Sequence, residues 1–358
     1  MPEATEKNLI VEYEALHAQL ERAISKLPRV QLGQLPTPLE ECPRLSDVLG
    51  GPRIFVKRDD LTGLALGGNK TRHLEFTLGE AVAAGADTVI LGAALQSNHC
   101  RQAAAAAAKL GLKAILILRK EDRSPMTMWR DPPQGNLLLD RVLGAEIYVA
   151  EPEERSALVE SLMAEFRKKG RRPYLVGSRR LTTISYANCA MELCDQLGQR
   201  GVTADRVYLA SSGGSQSGLV LGGKVLDAGY RVTGFPQGHL SDRDAVRVGV
   251  VNAVMDAAEF LELEVEVSSE EIATCDDYVG EGFGIVSPSC QEAIELVART
   301  EGILLDPVYS GKAMSGLIDH IRSGEIGKEE TVVFVHTGGT PLLFLYDELW
   351  GRELMHCF

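Results

Sequence analysis

The sequence predicts an α/β fold with two mostly parallel sheets, each covered by helices on both faces. Short β-branched runs alternate with helical stretches along the chain, and continuous apolar strands separated by helices are typical of buried parallel sheets. There are enough strand–helix units for two sheets, and the 358 residues allow a large core divided between two lobes. We find no internal repeat and no low-complexity segment.

The elements follow in order from an N-terminal helix. Segment 1–28 is charged and amphipathic, and it lacks the apolar core of a signal peptide. Most of the predicted strands are followed by Gly, Ser or Asn and then by a helical segment. Segment 100–110 is alanine-rich and is therefore a strong helix on propensity alone. The predicted strands are 87–92, 114–118, 145–149, 174–176, 206–210, 232–235 and 331–335.

Composition limits the class of protein. A formal net charge of -13 argues against a nucleic-acid partner, and no apolar run is long enough to span a membrane. Seven cysteines without CxxC spacing argue against both a disulfide framework and a zinc site. We therefore interpret them as small buried hydrophobic residues and expect no metal and a cytoplasmic location.

Three loops that follow predicted strands carry polar side chains, and ligands of open α/β sheets bind at such loops. They are 96–102 (QSNHCRQ), 211–219 (SSGGSQSGL) and 336–343 (HTGGTPLL). The second loop starts a helix after two serines and two glycines, which favours an anion site of backbone N–H groups. Its spacing matches neither a dinucleotide nor a Walker motif. The alternative is a tight strand-to-helix turn.

Lys70 follows Gly67, Gly68 and an asparagine at the start of a predicted helix. A lysine is not the charge that a helix N-terminus favours. A lysine that forms a Schiff base must reach a carbonyl and be partly desolvated, and the two glycines would leave space for a flat ring. The alternative is a solvated lysine. Similarly, helix capping by itself would explain a polar residue at Ser97 or at Asn98.

Taken together, these segments resemble the pyridoxal-phosphate enzymes of the tryptophan-synthase-like fold, fold type II. The resemblance is to the group of 1-aminocyclopropane-1-carboxylate (ACC) deaminase, D-cysteine desulfhydrase and L-cysteate sulfo-lyase. It runs in the family's order across nearly the whole chain, and GGNKTRHLEF and LDPVYSGKA are its most specific motifs. The matching segments are 35–40, 57–76, 96–112, 135–147, 211–219, 301–318 and 336–344.

The resemblance implies a role for each matching residue. Lys70 would hold pyridoxal 5'-phosphate covalently and then act as the base on Cα. Asn98 would hydrogen-bond the ring hydroxyl, and Ser310 would lie at the pyridine nitrogen. The other residues with implied roles are Ser97, a possible proton-transfer group, His99, Gln102, Tyr278 and Tyr309 at the substrate, and Ser211, Ser212, Gly213, Gly214 and Ser215 at the phosphate.

Two positions discriminate within the group. ACC deaminases have a glutamate where this chain has Ser310, and a hydroxyl cannot keep the pyridine nitrogen protonated as a carboxylate does. They also typically read QSNQ where this chain reads QSNH. Both differences favour elimination of a sulfur group from a cysteine-type amino acid, giving pyruvate, ammonia and sulfide or sulfite. ACC deaminase is the alternative, and a non-catalytic ligand-binding relative is a third.

One segment departs from the desulfhydrase pattern. Segment 176–186 reads VGSRRLTTISY, with Arg179 and Arg180 where small neutral residues are usual. Arginine binds oxyanions bidentately, so the pair would suit a sulfonate such as that of L-cysteate. The alternative is that both point to solvent. Arg123 and Arg130 are weaker candidates for the same role.

The resemblance also implies an organisation. A large cofactor-binding domain would combine 1–72 with 187–358, and a small domain would comprise 73–186. The site would lie in the cleft between them, and closure of the small domain would exclude water. The expected partners are a small amino-acid substrate and a second copy of the chain, in a homodimer or a larger homo-oligomer.

Overall fold

The computed structural model describes residues 2–120, 124–151 and 153–351. A six-stranded and a four-stranded sheet organise the chain, and helices cover them. The predicted α/β class with mostly parallel sheets is thereby confirmed. The strands are β1 (Leu39–Glu41), β2 (Arg53–Lys57), β3 (Thr88–Ala94), β4 (Lys113–Arg119), β5 (Glu146–Ala150), β6 (Pro173–Leu175), β7 (Arg206–Ala210), β8 (Arg231–Phe235), β9 (Ala273–Thr274) and β10 (Thr331–Val335).

The larger sheet has the order β1-β2-β10-β7-β8-β9, and only the β1–β2 pair is antiparallel. The smaller sheet has the order β5-β4-β3-β6 and is parallel throughout. All seven predicted strands are present. The sequence missed β1 and β9, which have three and two residues, and β2, whose apolar run is only three residues long. Runs this short carry no recognisable period.

Helices follow most strands and place their N-termini at the carboxyl edges of the sheets. The alanine-rich helix is present and begins two residues earlier than predicted, because the Ser97 hydroxyl accepts the N–H groups of His99 and Cys100, both at 3.2 Å. The helices are α1 (Pro2–Ser25), α2 (Pro43–Leu49), α3 (Lys70–Ala83), α4 (Asn98–Leu110), α5 (Gly135–Val142), α6 (Arg155–Lys168), α7 (Arg179–Gly198), α8 (Gly214–Val225), α9 (Arg243–Phe260), α10 (Pro288–Glu301) and α11 (Ser310–Arg322).

The two predicted domain boundaries both fall inside continuous helices. The first, at 72/73, cuts α3, and the second, at 186/187, cuts α7. Leu181 and Ile184 of α7 pack in the core of the larger sheet, so a division before Arg179 fits the packing better than one after residue 186. The division into two domains stays a prediction.

A buried cluster of ion pairs connects the first turn of α3 to α7. Arg72 donates to both carboxylate oxygens of Asp59, each at 2.8 Å, and to Glu192. Lys57 donates to Glu192 at 3.0 Å, and the Tyr186 hydroxyl donates to Asp59 at 2.7 Å. Burial alone would raise the pKa of Asp59, but Arg72 and Lys57 outweigh it and hold that pKa below its usual value.

Residues 2–120, 124–151 and 153–351 contain eleven α-helices and six of the seven cysteines. No helix there is long and apolar enough to cross a membrane. The six cysteines there are free thiols, four of them buried, while Cys357 lies outside the described residues.

Candidate active site

The three strand-end loops singled out by the sequence line one cavity of about 290 Å³. The loops follow β3, β7 and β10, so the cavity lies at the carboxyl ends of strands from both sheets. A second cavity of about 650 Å³ adjoins it, because Ser212 and Gln237 line both. Of the predicted site residues, those that line the inner cavity are Lys70, Ser97, Asn98, His99, Ser211, Ser212, Gly214, Ser215 and Tyr309.

Lys70 is the first residue of α3 and reaches the inner cavity. Among the described residues its amine has no carboxylate and no hydrogen-bond partner, and burial alone lowers its pKa to about 8. A lysine that is desolvated and unpaired in this way is a good nucleophile near neutral pH. Lys70 is therefore not a solvated surface lysine, which was the alternative left open by the sequence.

Gly67 and Gly68 do not leave space for a ring, and this prediction is corrected. A Cβ on Gly67 would lie 1.8 Å from the carbonyl oxygen of Asp60, and one on Gly68 would lie 2.6 Å from Nε2 of Gln102. Both glycines also have positive φ, +66° and +124°. They are therefore required because the backbone of this turn packs tightly against its surroundings.

The loop 211–215 forms an anion cradle at the start of α8. The Ser211 hydroxyl accepts the N–H groups of Gly213 and Gln216, which shapes the turn. Gly213 has a φ of +118°, which favours glycine. In the described part of the chain, the N–H groups of Gly214 and Ser215 have no acceptor and lie at the cavity. Such unpaired donors at a helix N-terminus bind anions.

His73 lines the cavity and was missed by the sequence analysis. Its Nε2 lies 3.4 Å from the hydroxyl of Ser215, and its ring lies edge-on to His99 at 6.4 Å. Burial, with Lys70 nearby, lowers the pKa of His73 well below its usual value and that of His99 to about 3, so both rings are neutral. The available signal was spacing, since His73 lies three residues after Lys70 on the same helix.

The start of α4 presents Ser97, Asn98 and His99 to the cavity. Because the Ser97 oxygen already accepts two backbone N–H groups, this hydroxyl is better placed to donate a hydrogen bond than to accept a proton. Gln102 does not face the cavity, and this prediction is corrected. It is fully buried, its Oε1 accepts from Thr71, and its Nε2 donates to the carbonyl of Asn98. Gln102 therefore supports the turn before α3.

Of the two predicted tyrosines, only Tyr309 lines the inner cavity. Burial raises its pKa far above the usual value, so it stays protonated and can donate. The prediction for Tyr278 is corrected, because its ring packs against Phe235 and His320 and its hydroxyl donates to Asp319 at 2.5 Å. The aromatic ring beside Tyr309 is Phe283, which also lines the outer cavity.

Ser310 is fully buried as the first residue of α11, directly after Tyr309. Its hydroxyl donates to Oδ1 of Asp306 at 2.6 Å and accepts the N–H of Asp306 at 2.8 Å. The same carboxylate accepts the N–H groups of residues 308–310. Asp306 is thus committed to holding this helix start, and the group that remains at position 310 is a neutral hydroxyl.

The arginines predicted for a distal sulfonate do not line the cavity, which corrects the prediction for Arg179 and Arg180. Arg180 pairs with Asp256 at 2.5 Å and stacks on Phe260, because it lies on the opposite face of α7 from Thr182, which does line the cavity. The exposed Arg179 lies beside Gly249 of α9. Arg130 donates to Gln134 and Leu345, and Arg123 lies outside the described residues.

A half-buried lysine amine with no partner among the described residues lines the same cavity as a backbone anion cradle, and this combination defines a class of protein. These groups fit a cofactor that carries an aldehyde and a phosphate. The chain matches the family model described as pyridoxal-phosphate dependent enzyme over residues 30–338, and it belongs to that family. The predicted class, a pyridoxal-phosphate-dependent lyase, is confirmed.

Individual relatives agree with this assignment. A Pyrococcus abyssi (strain GE5 / Orsay) protein named putative 1-aminocyclopropane-1-carboxylate deaminase is 38% identical over 340 residues, which are 93% of this chain and 98% of that protein. The crystal structure of an ACC deaminase homologue is 36% identical with a TM-score of 0.81, and the match covers 92% of this chain and 98% of the other.

Two more distant structures share the fold alone. The threonine deaminase of T.th. is 19% identical with a TM-score of 0.64, over 90% of this chain and 97% of that one. A hydrogen sulfide-producing enzyme from Fusobacterium nucleatum is 17% identical with a TM-score of 0.60, over 89% and 97%.

The lowered pKa of Lys70 makes cofactor capture dependent on pH. Only the free amine attacks an aldehyde, and a pKa of about 8 means that its fraction rises with pH up to that value. We expect the rate constant for pyridoxal phosphate binding to apoprotein to rise about tenfold per unit up to this pKa and then to level off. Stopped-flow absorbance measures this rate. A rate that keeps rising to about pH 10, as for a free lysine derivative, would contradict it.

Proposed function

We propose that this protein eliminates a sulfur leaving group from Cβ of a cysteine-type amino acid and releases pyruvate and ammonia. The observation that carries this proposal is Ser310, a buried neutral hydroxyl that Asp306 already engages. When bound, pyridoxal phosphate delocalises the negative charge that develops on Cα. A hydroxyl at the pyridine nitrogen supports a weaker electron sink than a carboxylate does, which suits departure of a good leaving group.

The residues around the cavity then take definite roles. Lys70 holds the cofactor and, once released by the substrate amine, removes the Cα proton with its Nζ. Gly214 and Ser215 bind the phosphate with their N–H groups, and Asn98 binds the ring oxygen. The protonated hydroxyl of Tyr309 donates a hydrogen bond on the substrate side.

The leaving group is a thiol in this proposal. A sulfonate would depend on Arg179 and Arg180, which lie on the outer surface of α7 and beside α9. Among the described residues that line the inner cavity, Lys70 is the one with a basic or acidic side chain apart from the two neutral histidines, whereas Arg119 and Glu281 line the outer cavity. A neutral or thiolate leaving group fits such a lining better than a permanently charged sulfonate, so sulfide is the expected product.

ACC deaminase is the second candidate, and the names of the two relatives above 30% identity favour it more directly than they favour the first. Opening the cyclopropane ring requires stabilising a carbanion without a good leaving group. Ser310 in place of a carboxylate is the specific feature that speaks against this reaction.

A substrate panel with a single variant separates the two candidates. The wild-type holoenzyme receives D-cysteine, L-cysteine, L-cysteate and ACC, and pyruvate, 2-oxobutanoate, sulfide and sulfite are measured. We expect kcat/KM for one cysteine enantiomer to exceed that for ACC by at least about 100-fold. We expect Ser310→Glu to narrow this ratio. Turnover of ACC alone would show that the inference from Ser310 is wrong.

A further inference from the structure

Asn136 lies fully buried at the start of α5, beside the loop that carries Asn98. The motif GNLLLD at this position belongs to the segments that resemble the family, yet no role has been attached to it. Its side chain makes two hydrogen bonds through one atom. Nδ2 donates to the backbone carbonyl of Gln96 at 2.8 Å and to Oδ1 of Asn98 at 2.9 Å.

The first of these bonds determines the orientation of the Asn136 amide. A backbone carbonyl can only accept, so the atom that faces Gln96 must be the nitrogen of Asn136. The backbone N–H of Asn136 in turn donates to Oε1 of Gln96 at 2.8 Å, which holds the two residues in register. The orientation of this amide therefore follows from a backbone group.

The orientation of the Asn136 amide determines the orientation of the Asn98 amide. Because the second hydrogen of Asn136 Nδ2 points to Asn98, the atom of Asn98 on that side must be its oxygen. The Asn98 Nδ2 is then left for the cavity, and no acceptor for it exists among residues 2–120, 124–151 and 153–351. Reversing the Asn98 amide would set two donors, the Nδ2 groups of Asn98 and Asn136, against each other and leave a donor of Asn136 unpaired.

We propose that Asn136 is a positioning residue that fixes the polarity of the Asn98 amide, so that Asn98 offers an N–H donor to the ring oxygen of the bound cofactor. The inference rests on the proposed role of Asn98 and is independent of which amino acid is the substrate. A donor stabilises the ionised ring oxygen, whereas an oxygen in the same place would oppose it. Asn136 touches neither the cofactor nor the substrate in this assignment.

The test uses the visible absorbance of the holoenzyme as a function of pH, which reports the apparent pKa of the bound cofactor without any substrate. In Asn136→Asp the new carboxylate accepts from Asn98 Nδ2 and turns the amide around. We expect the apparent pKa to rise by about one unit or more. Asn252→Asp makes the same change at an exposed position of α9 and should leave the titration unchanged.

A double-mutant cycle separates positioning from the added charge. In the Asn98→Ala background, Asn136→Asp adds only its charge, so its effect there should be clearly smaller than in the wild-type background. Equal shifts in both backgrounds, or no shift from Asn136→Asp alone, would overturn the proposal. So would an Asn98→Ala variant with an unchanged titration, a result that leaves the substrate assignment untouched.

A neutral variant covers the case in which Asn136→Asp does not fold. Asn136→Leu removes the donor to Asn98 without adding charge. We expect a smaller shift in the same direction that disappears when Asn98 is also replaced by alanine. A shift that persists in that double variant would likewise overturn the proposal. Near-ultraviolet circular dichroism confirms that each protein is folded.

Discussion

Replacement of Lys70 by alanine is expected to lower kcat by at least about 10⁴-fold, because one amine serves both as cofactor anchor and as base. The buried site offers no replacement, since the two imidazoles beside it, His73 and His99, have pKa values lowered by burial and by Lys70. The dialysed variant should also lose the visible absorbance of the bound cofactor. Activity and absorbance are measured on the same preparation.

Two further variants sharpen this test. Lys70→Arg keeps the positive charge but cannot supply a free amine, so it should be as inactive as the alanine variant. Lys169→Ala removes an exposed lysine that pairs with Glu165 and lies over the ring of Phe166, and it should leave both readouts unchanged. Retention by Lys70→Ala of more than about 1% of wild-type kcat would contradict the assignment of the base.

Removal of the buried Arg72 guanidinium is expected to lower the free energy of unfolding far more than removal of a surface arginine. Asp59 and Lys57 are fully buried in the same cluster, and breaking a buried ion pair by removing one partner costs about 3–5 kcal/mol. Arg72→Met should lower the free energy of unfolding in urea by about that amount. Arg180→Met removes a surface arginine paired with Asp256, and its cost should be only about 0–1 kcal/mol.

The dependence of this loss on pH follows from Asp59. Arg72 and Lys57 outweigh burial and hold the pKa of Asp59 below its unfolded value, so its contribution is present above that value and is lost as pH falls through the folded pKa. The difference between wild type and Arg72→Met should therefore be largest near neutral pH and shrink below about pH 4. A difference that is constant with pH would show that packing, not charge, explains it.

The charged cluster also positions residues of the candidate active site. Arg72 and Lys70 share the first turn of α3, and Arg72 bonds across to Glu192 of α7. Tyr186 of α7 donates to Asp59 and lies against the ring of His73 at 5.6 Å. The buried ion pairs thus hold the turn that carries Lys70 against α7, whose Thr182 lines the cavity.

Most of the site predictions that proved wrong concern the direction in which a side chain points. Tyr278 and Phe283 lie five residues apart in a segment where Gly280, Gly282 and Gly284 all have positive φ. Such a backbone reverses direction repeatedly, so sequence spacing cannot tell which aromatic ring turns inward. The arginines of α7 present the same difficulty, since a helix start at Arg179 decides which face each residue occupies.

Local patterns in the sequence were sufficient for seven of the ten described strands, the lysine at a helix start and the glycine-rich turn. Each is encoded within about ten residues by the alternation of strands and helices or by the chemistry of a turn. The tertiary structure alone decided that His73 and Phe283 line the cavities, that Gln102 supports a turn, and that Asn136 orients Asn98. These assignments depend on contacts between segments distant in the chain, and no local pattern records where such segments meet.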